Sequence, residues 1–401
     1  MEVQDNRDKP TYLHNRITCL DGIRAIGALF VVFCHLACAF VPELYNVGIN
    51  PICDKIWNNS PLNIITSAHA AVQMFFVISG FFVVMKTYMS TKEKTIFQQI
   101  LHRILRLLEV VVPAIMLSYI ILSCGLFYNS QVAELDSRFA FVSSYVSFEP
   151  SLLSAIEDIV RTLFEGSSYV GPFWTIKYEL AGSVMVLLTS RIALKVAAPL
   201  RKWIYYVFAL VFMYVEINFA AFFIGAFVYD IYHNRKSDDV LSCFVWKMLD
   251  RKMLYTVILI LGFYCATVSV LGRGIYTPFK IFNYIHVESY RTIVRAFGVG
   301  VIVLLTLKSS VVQKIMDIRP LQFVGTYSAY IYGFHWTIIL SIGCFMCMHM
   351  WNRVDFRIMM ALISMVCVVI TVAVSYIYVK TYKKIRKWIN LRYRGEKADD
   401  K

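Results

Sequence analysis

The chain has 401 residues, 58% hydrophobic and 16% charged, with a formal net charge of +14 and a mean hydropathy of +0.60. Soluble domains carry about 25% charged residues, so a water-soluble fold is excluded, and the apolar runs are long enough to cross a bilayer. The basic charges flank those runs, which the enrichment of Lys and Arg in cytoplasmic loops explains without invoking nucleic acid.

The expected fold is all-α: a polytopic bundle of about ten spans, each near the ~20 apolar residues a bilayer requires. In chain order they are residues 23–41, 68–89, 107–127, 173–194, 203–215, 219–232, 254–271, 292–307, 323–346 and 359–379. An amphipathic stretch, 96–106, leads into the third. A segment of 1–19 precedes the membrane domain of 20–380, and a basic tail of 381–401 follows it. The first apolar run is expected to be retained rather than cleaved as a signal. Lys and Arg cluster at Arg7, Lys9 and Arg16, at Lys86, Lys92, Lys94, Arg103 and Arg106, and again in alternate later loops. That asymmetry places both termini in the cytoplasm. Arg273, Lys280 and Arg291 run against it. The polar segment 128–172 is expected outside, as a lid or substrate-facing loop, with 152–164 a short amphipathic helix. The tail, with Trp388 among basic residues, suits anchoring to anionic lipid.

Candidate chemistry lies within these spans. Arg24 and His35 are eleven residues apart in the first. Eleven helical residues turn through ~1100°, so both side chains share one face, roughly 16 Å apart along the axis. Ionisable groups in lipid are costly and mark function by default. His35 can act as a general base, or can be a packing histidine bonded to a neighbouring helix. Arg24 can fork onto phosphate, or can snorkel to headgroups. Ser328, Tyr332 and His335 form a polar stripe in the ninth span, catalytic or interhelical glue. Glu179 sits about a turn and a half into the fourth span and needs a partner, for which Arg291 and Arg295 are candidates. Trp174 suits an interface aromatic. Ser79 beside Gly80 permits close helix contact, with His69 at the outer boundary. Arg103 and Arg106 form a basic pair at the cytoplasmic interface, fit for lipid headgroups or a phosphorylated donor. Cys344 and Cys347 have CxxC spacing inside an apolar run with no second pair, so packed thiols are expected and no metal.

Together these residues resemble the acyltransferase-3 family of integral membrane O-acyltransferases, over nearly the whole chain. Arg24 and His35 match its R-x10-H motif, and residues 75–81 look like its FFxxSGF segment. Arg103 and Arg106 match RxxR, 174–179 matches W-[ST]-[LI]-x-x-E, and 325–335 is similar to G-x-x-S-Y-x-x-Y-x-x-H. Gln73 departs from a position often acidic, Ala329 from a usual tyrosine, and Pro113 is displaced, with Glu109 before it. The esterase-like domain fused to some members of that family is not expected here.

The resemblance implies transfer of an acyl group, most often acetyl, from cytoplasmic acyl-CoA to a hydroxyl of a cell-surface or lipid-linked carbohydrate. It implies a multi-pass protein of the bacterial inner membrane and no bound cofactor, with acyl-CoA as donor substrate. Arg24, Arg103 and Arg106 are then expected to hold the donor, His35 to be the base, His335 to be catalytic with it, and Glu179 to orient His35 or His335 or to bind the acceptor. Ser79, Trp174, Ser328 and Tyr332 contact the acceptor or are structural. A transporter or flippase of an amphiphilic glycoconjugate, using the same stripe as a path, is the competing class.

Overall fold

A computed structural model of the chain describes residues 17–44, 48–90, 95–237, 239–268, 275–279 and 290–399, with side chains as far as Lys387. Arg7, Lys9, Arg16, Lys92, Lys94, Arg273, Lys280, the side chain of Trp388 and the end of the seventh expected span, 269–271, lie outside the described residues.

Ten main helices follow the apolar runs: α1 (Thr18–Phe40), α2 (Ala68–Tyr88), α3 (Ile96–Ser123), α4 (Ile176–Ala193), α5 (Ala198–Val215), α6 (Ile217–His233), α7 (Lys252–Ala266), α8 (Tyr290–Lys308), α9 (Arg319–Ile338) and α10 (Phe356–Asp399). A wider turn, Ile339–Gly343, carries α9 into Cys344–Met350. No strand occurs among the described residues. Among the described residues six helices are long and apolar enough to cross a membrane: α1, α2, α3, α8, α9 with its extension, and α10; α6 and α7 are shorter apolar helices. The amphipathic stretch 96–106 and the third expected span form one continuous helix, started by a Thr95–Gln98 capping box.

Burial orders the bundle. α1 is 67% buried along its apolar stretch, against 22% for α3 and 33% for α10, so α1 is central and the other two are peripheral. One face of α1 (Ala28, Val32, Leu36, Phe40) joins a core with α3, α9 and α10. Its starting turns (Cys19, Leu20, Ile23) join a second core with α2, α4, α5, α6 and α8. Outward positions on the candidate spans, such as Ile120 of α3 (52% exposed) and Val369 of α10 (60%), are apolar, as lipid contact requires. Cys344 and Cys347 are buried free thiols.

Small residues bring the helices close. A Cβ on Gly325 of α9 would fall 2.3 Å from the Asp21 carbonyl oxygen of α1, and one on Gly22 2.3 Å from the Met316 carbonyl oxygen. α2 and α6 cross reciprocally: a Cβ on Gly80 would lie 1.9 Å from the Phe222 carbonyl oxygen, and one on Gly225 1.9 Å from that of Val77. Without a hydrophobic drive between helices in lipid, such backbone approach supplies the association.

The segment between α3 and α4 contains the short helix expected at 152–164, as Leu152–Thr162, and is packed along much of its length. It folds into short helices, Asn129–Leu135, Ala140–Ser143 and Leu152–Thr162, and a tight turn, Gly171–Thr175. Phe139, Val142, Tyr169, Val170 and Phe173 are buried in the core of α1, α3 and α9. Asn129 Nδ2 donates to the carbonyls of Val142 (3.1 Å) and Tyr145 (2.8 Å), and Ser118 of α3 donates to that of Tyr169 (2.9 Å). Asp158 gathers Ser167 Oγ, the Ser168 N–H and Arg161. The segment is a packed cap. One consequence corrects the fourth expected span: α4 starts at Ile176, after a turn opened by Pro172, so Glu179 lies in its first helical turn.

Gly80→Ala is expected to lower the thermal midpoint of the purified protein, at an overpacking cost of about 1–3 kcal/mol. Gly27→Ala, whose Cβ would meet nothing nearer than Phe75 Cζ at 3.5 Å, is expected to leave it unchanged. Equal melting of the two variants would contradict the packing described for α2 and α6.

Candidate active site

His35 and His335 meet although they are 300 residues apart: His335 Nε2 is 3.1 Å from His35 Nδ1. The parallel approach of α1 and α9 at Gly325 sets this up. Each imidazole also faces its own helix, His35 Nδ1 at 2.9 Å from the Val31 carbonyl oxygen and His335 Nδ1 at 2.8 Å from that of Tyr332.

These contacts fix the protons. A carbonyl oxygen only accepts, so Nδ1 carries the hydrogen on both rings. In neutral His335 the Nε2 lone pair is then free to accept the His35 Nδ1–H, which Val31 shares. His35 is left with its lone pair on Nε2, which has no partner among the described residues. His335 is fully buried and His35 half-buried, so the outer imidazole is the accessible one.

Aromatic groups frame the pair. Trp336 packs edge-on against His35 with centroids 5.2 Å apart, and its buried indole N–H has no hydrogen-bond partner among the described residues. The Tyr332 hydroxyl donates to the Pro172 carbonyl and lies 2.6 Å from Thr175 Oγ1. Tyr332 therefore ties α9 to the turn that starts α4, and its ring stacks on Phe173. Ser328 donates to the Gly325 carbonyl of its own helix (2.9 Å) and does not join the pair. Trp174 is 38% exposed and packs on Tyr178, on the outside of the turn.

A second group of side chains gathers toward the start of α1. Glu179 accepts from Ser79 of α2 (2.5 Å) and faces Arg103 of α3 (3.5 Å). Arg24 lies over the Phe82 ring at 4.8 Å, pairs with Asp21 at 3.5 Å, and is within electrostatic reach of Glu179 along with Arg106. Arg24 is 25% exposed, and Arg103 and Glu179 are 22% each, so all three keep an accessible surface.

This corrects the expectation for Glu179. Neither Arg291 nor Arg295 serves as its partner. Arg295 donates twice to the Val268 carbonyl (3.2 and 2.7 Å), and Arg291 donates to the Tyr290 hydroxyl at 3.3 Å. The turn at Gly171–Thr175 sets α4 against α2 and α3, so its first turn faces them and not α8.

Three residues of this region escape the sequence reading as site residues: Trp336, Phe82 and Lys86. Trp336 is marked only by adjacency to His335. Lys86 is marked by helical spacing, seven residues after Ser79 on the same face.

A paired imidazole with one open lone pair can take a proton from a hydroxyl, and clustered guanidinium groups can hold an anion. No curated protein and no solved structure matches the chain. A family model described as an acyltransferase domain matches residues 17–380. That span holds both groups of side chains and every main helix as far as Lys380 of α10, and on it the chain belongs to the acyltransferase-3 family, as a membrane acyltransferase.

Proposed function

We propose that the protein moves an acyl group, acetyl in the first instance, from cytoplasmic acyl-CoA to a hydroxyl of a cell-surface or lipid-linked carbohydrate. The observation that carries this reading is the open Nε2 of His35, on the same face of α1 as Arg24 and roughly 16 Å along the axis from it. In it all ten helices span, with both termini cytoplasmic, following the asymmetry of Lys and Arg.

Arg24, Arg103 and Arg106 hold the donor's phosphates, and Glu179 spaces the guanidinium groups while Ser79 fixes the carboxylate. The thioester arm then extends along α1 toward His35. The acceptor hydroxyl attacks the thioester carbonyl as its proton passes to His35 Nε2. The C–O bond forms, the C–S bond breaks, and the departing thiolate takes the proton back from His35. The imidazolium is stabilised meanwhile by the Val31 carbonyl and the His335 lone pair on its Nδ1–H. His335 is thus a positioning residue: it holds the tautomer and touches neither substrate. Tyr332 and Thr175 hold the turn, and Trp174 and Ser328 are structural. Bringing both substrates into one cavity supplies much of the rate.

Mass spectrometry of surface carbohydrates, from cells with and without the protein, tests the reading. An added acyl mass that depends on the protein is expected, and His35→Ala should lower it by roughly 10²–10⁴-fold, the usual yield of a general base. Movement of an unmodified glycoconjugate without covalent change would overturn it in favour of a transporter. Arg24→Lys keeps the charge but loses the fork, so KM for acyl-CoA should rise about tenfold. An unchanged KM would remove Arg24 from the donor site.

A further inference from the structure

Lys86 stands in the last turn of α2, on the face the helix turns to the site. From Ser79 to Lys86 is seven residues, within ~20° of whole turns, and Phe75 and Phe82 flank the same line. Each of the other three is engaged. Phe75 packs on the Tyr332 ring (6.1 Å), Ser79 donates to Glu179 (2.5 Å), and the Phe82 ring carries Arg24 (4.8 Å). Lys86 continues the line about 10 Å beyond Ser79, away from the histidines, at ~1.5 Å per residue.

Its side chain is exposed, has no ion-pair partner among the described residues, and lies within electrostatic reach of Arg24, Arg103 and Arg106. Four cations therefore converge where Asp21 and Glu179 are the carboxylates paired with them. Arg24 and Arg103 are partly buried and Arg106 and Lys86 are exposed, and like charges gathered in this way attract an anion. The surplus suits a ligand with several phosphate charges.

The order along the line assigns them. A coenzyme A thioester is linear: thioester, pantetheine, diphosphate, then adenosine with its 3′-phosphate. If the thioester lies at His35, the diphosphate falls at the level of Arg24 and the nucleotide end beyond it. Resting on the donor reading above, we propose that Lys86 binds the 3′-phosphate of the donor and makes the protein select coenzyme A thioesters over their 3′-dephospho forms. The same chemistry could come from a lipid phosphate, so the test separates the two sources.

The full-length protein in phosphatidylcholine nanodiscs would be assayed with acetyl-CoA and 3′-dephospho-acetyl-CoA, as wild type, Lys86→Gln and Lys86→Arg. For wild type, removing the 3′-phosphate should raise the donor KM about tenfold, the scale of one charge-assisted hydrogen bond. Lys86→Gln should raise KM for acetyl-CoA by a similar factor, leave kcat and the acceptor KM unchanged, and raise KM for the dephospho donor little further. Lys86→Arg should restore most of the discrimination. Independent, multiplying effects of the two changes would overturn the assignment, since uncoupled groups do not touch. An effect of Lys86→Gln that emerges only when anionic lipid is added would also overturn it, and assign the lysine to headgroups. A wild type that turns over acetyl-CoA normally while Lys86→Gln matches it sinks this inference alone; a wild type that uses neither donor sinks the donor reading beneath it.

Discussion

Two imidazoles 3.1 Å apart inside a helix bundle have few ways to share hydrogens, and the backbone leaves them one. The Val31 and Tyr332 carbonyls each claim an Nδ1–H. That claim turns His335 into an acceptor and His35 into a base with its lone pair outward. The arrangement exists only because α1 and α9 approach at Gly325, where a Cβ would strike the Asp21 carbonyl at 2.3 Å. A neutral histidine in this supporting place avoids burying a second charge, which a carboxylate there would require. The packing of two helices is thus the origin of the polarity of the site.

The cationic group obeys the opposite logic. Arg24, Lys86, Arg103 and Arg106 come from three helices and are incompletely neutralised by Asp21 and Glu179. Such a group is tolerated where its side chains keep accessible surface, as Arg24 and Arg103 do at 25% and 22%. It becomes favourable when an anion enters. A neutral imidazole pair toward one end of α1 and a surplus of positive charge toward the other make the two ends of the site chemically unlike. The cap over 128–175, pinned by Tyr332 to Pro172, closes the side of the bundle nearest the histidines.

Much of this was legible in the chain. Apolar runs mark where the main helices lie, and six of the described helices are long and apolar enough to cross a membrane, because in lipid the backbone must satisfy its own hydrogen bonds. The eleven-residue spacing of Arg24 and His35 gives their common face, since helical period is local. Pairings between helices are not local. The meeting of His35 with His335 depends on a glycine contact between α1 and α9, and no periodicity in either helix encodes it. The partner of Glu179 is not local either, because a polar stretch ending in Pro172 looks like the start of a span and points the carboxylate toward Arg291 and Arg295. There the chain makes a tight turn and delays α4 to Ile176. In the cap the short helix expected at 152–164 is present as Leu152–Thr162, whereas the packing is hidden by Asp, Glu and Ser content that masks Phe139, Val142, Tyr169 and Phe173, which turn inward. Lys86 was visible but explained too easily, as one more charge at a membrane edge.

The claim everything else hangs on is the tautomer of one ring. Nitrogen-15 NMR of histidine-labelled protein in nanodiscs at neutral pH, with His35 assigned by its loss in His35→Gln, reads it directly. The account predicts a protonated Nδ1 and an unprotonated Nε2 at His35. A hydrogen on Nε2 instead would leave no lone pair facing the substrates and would contradict it.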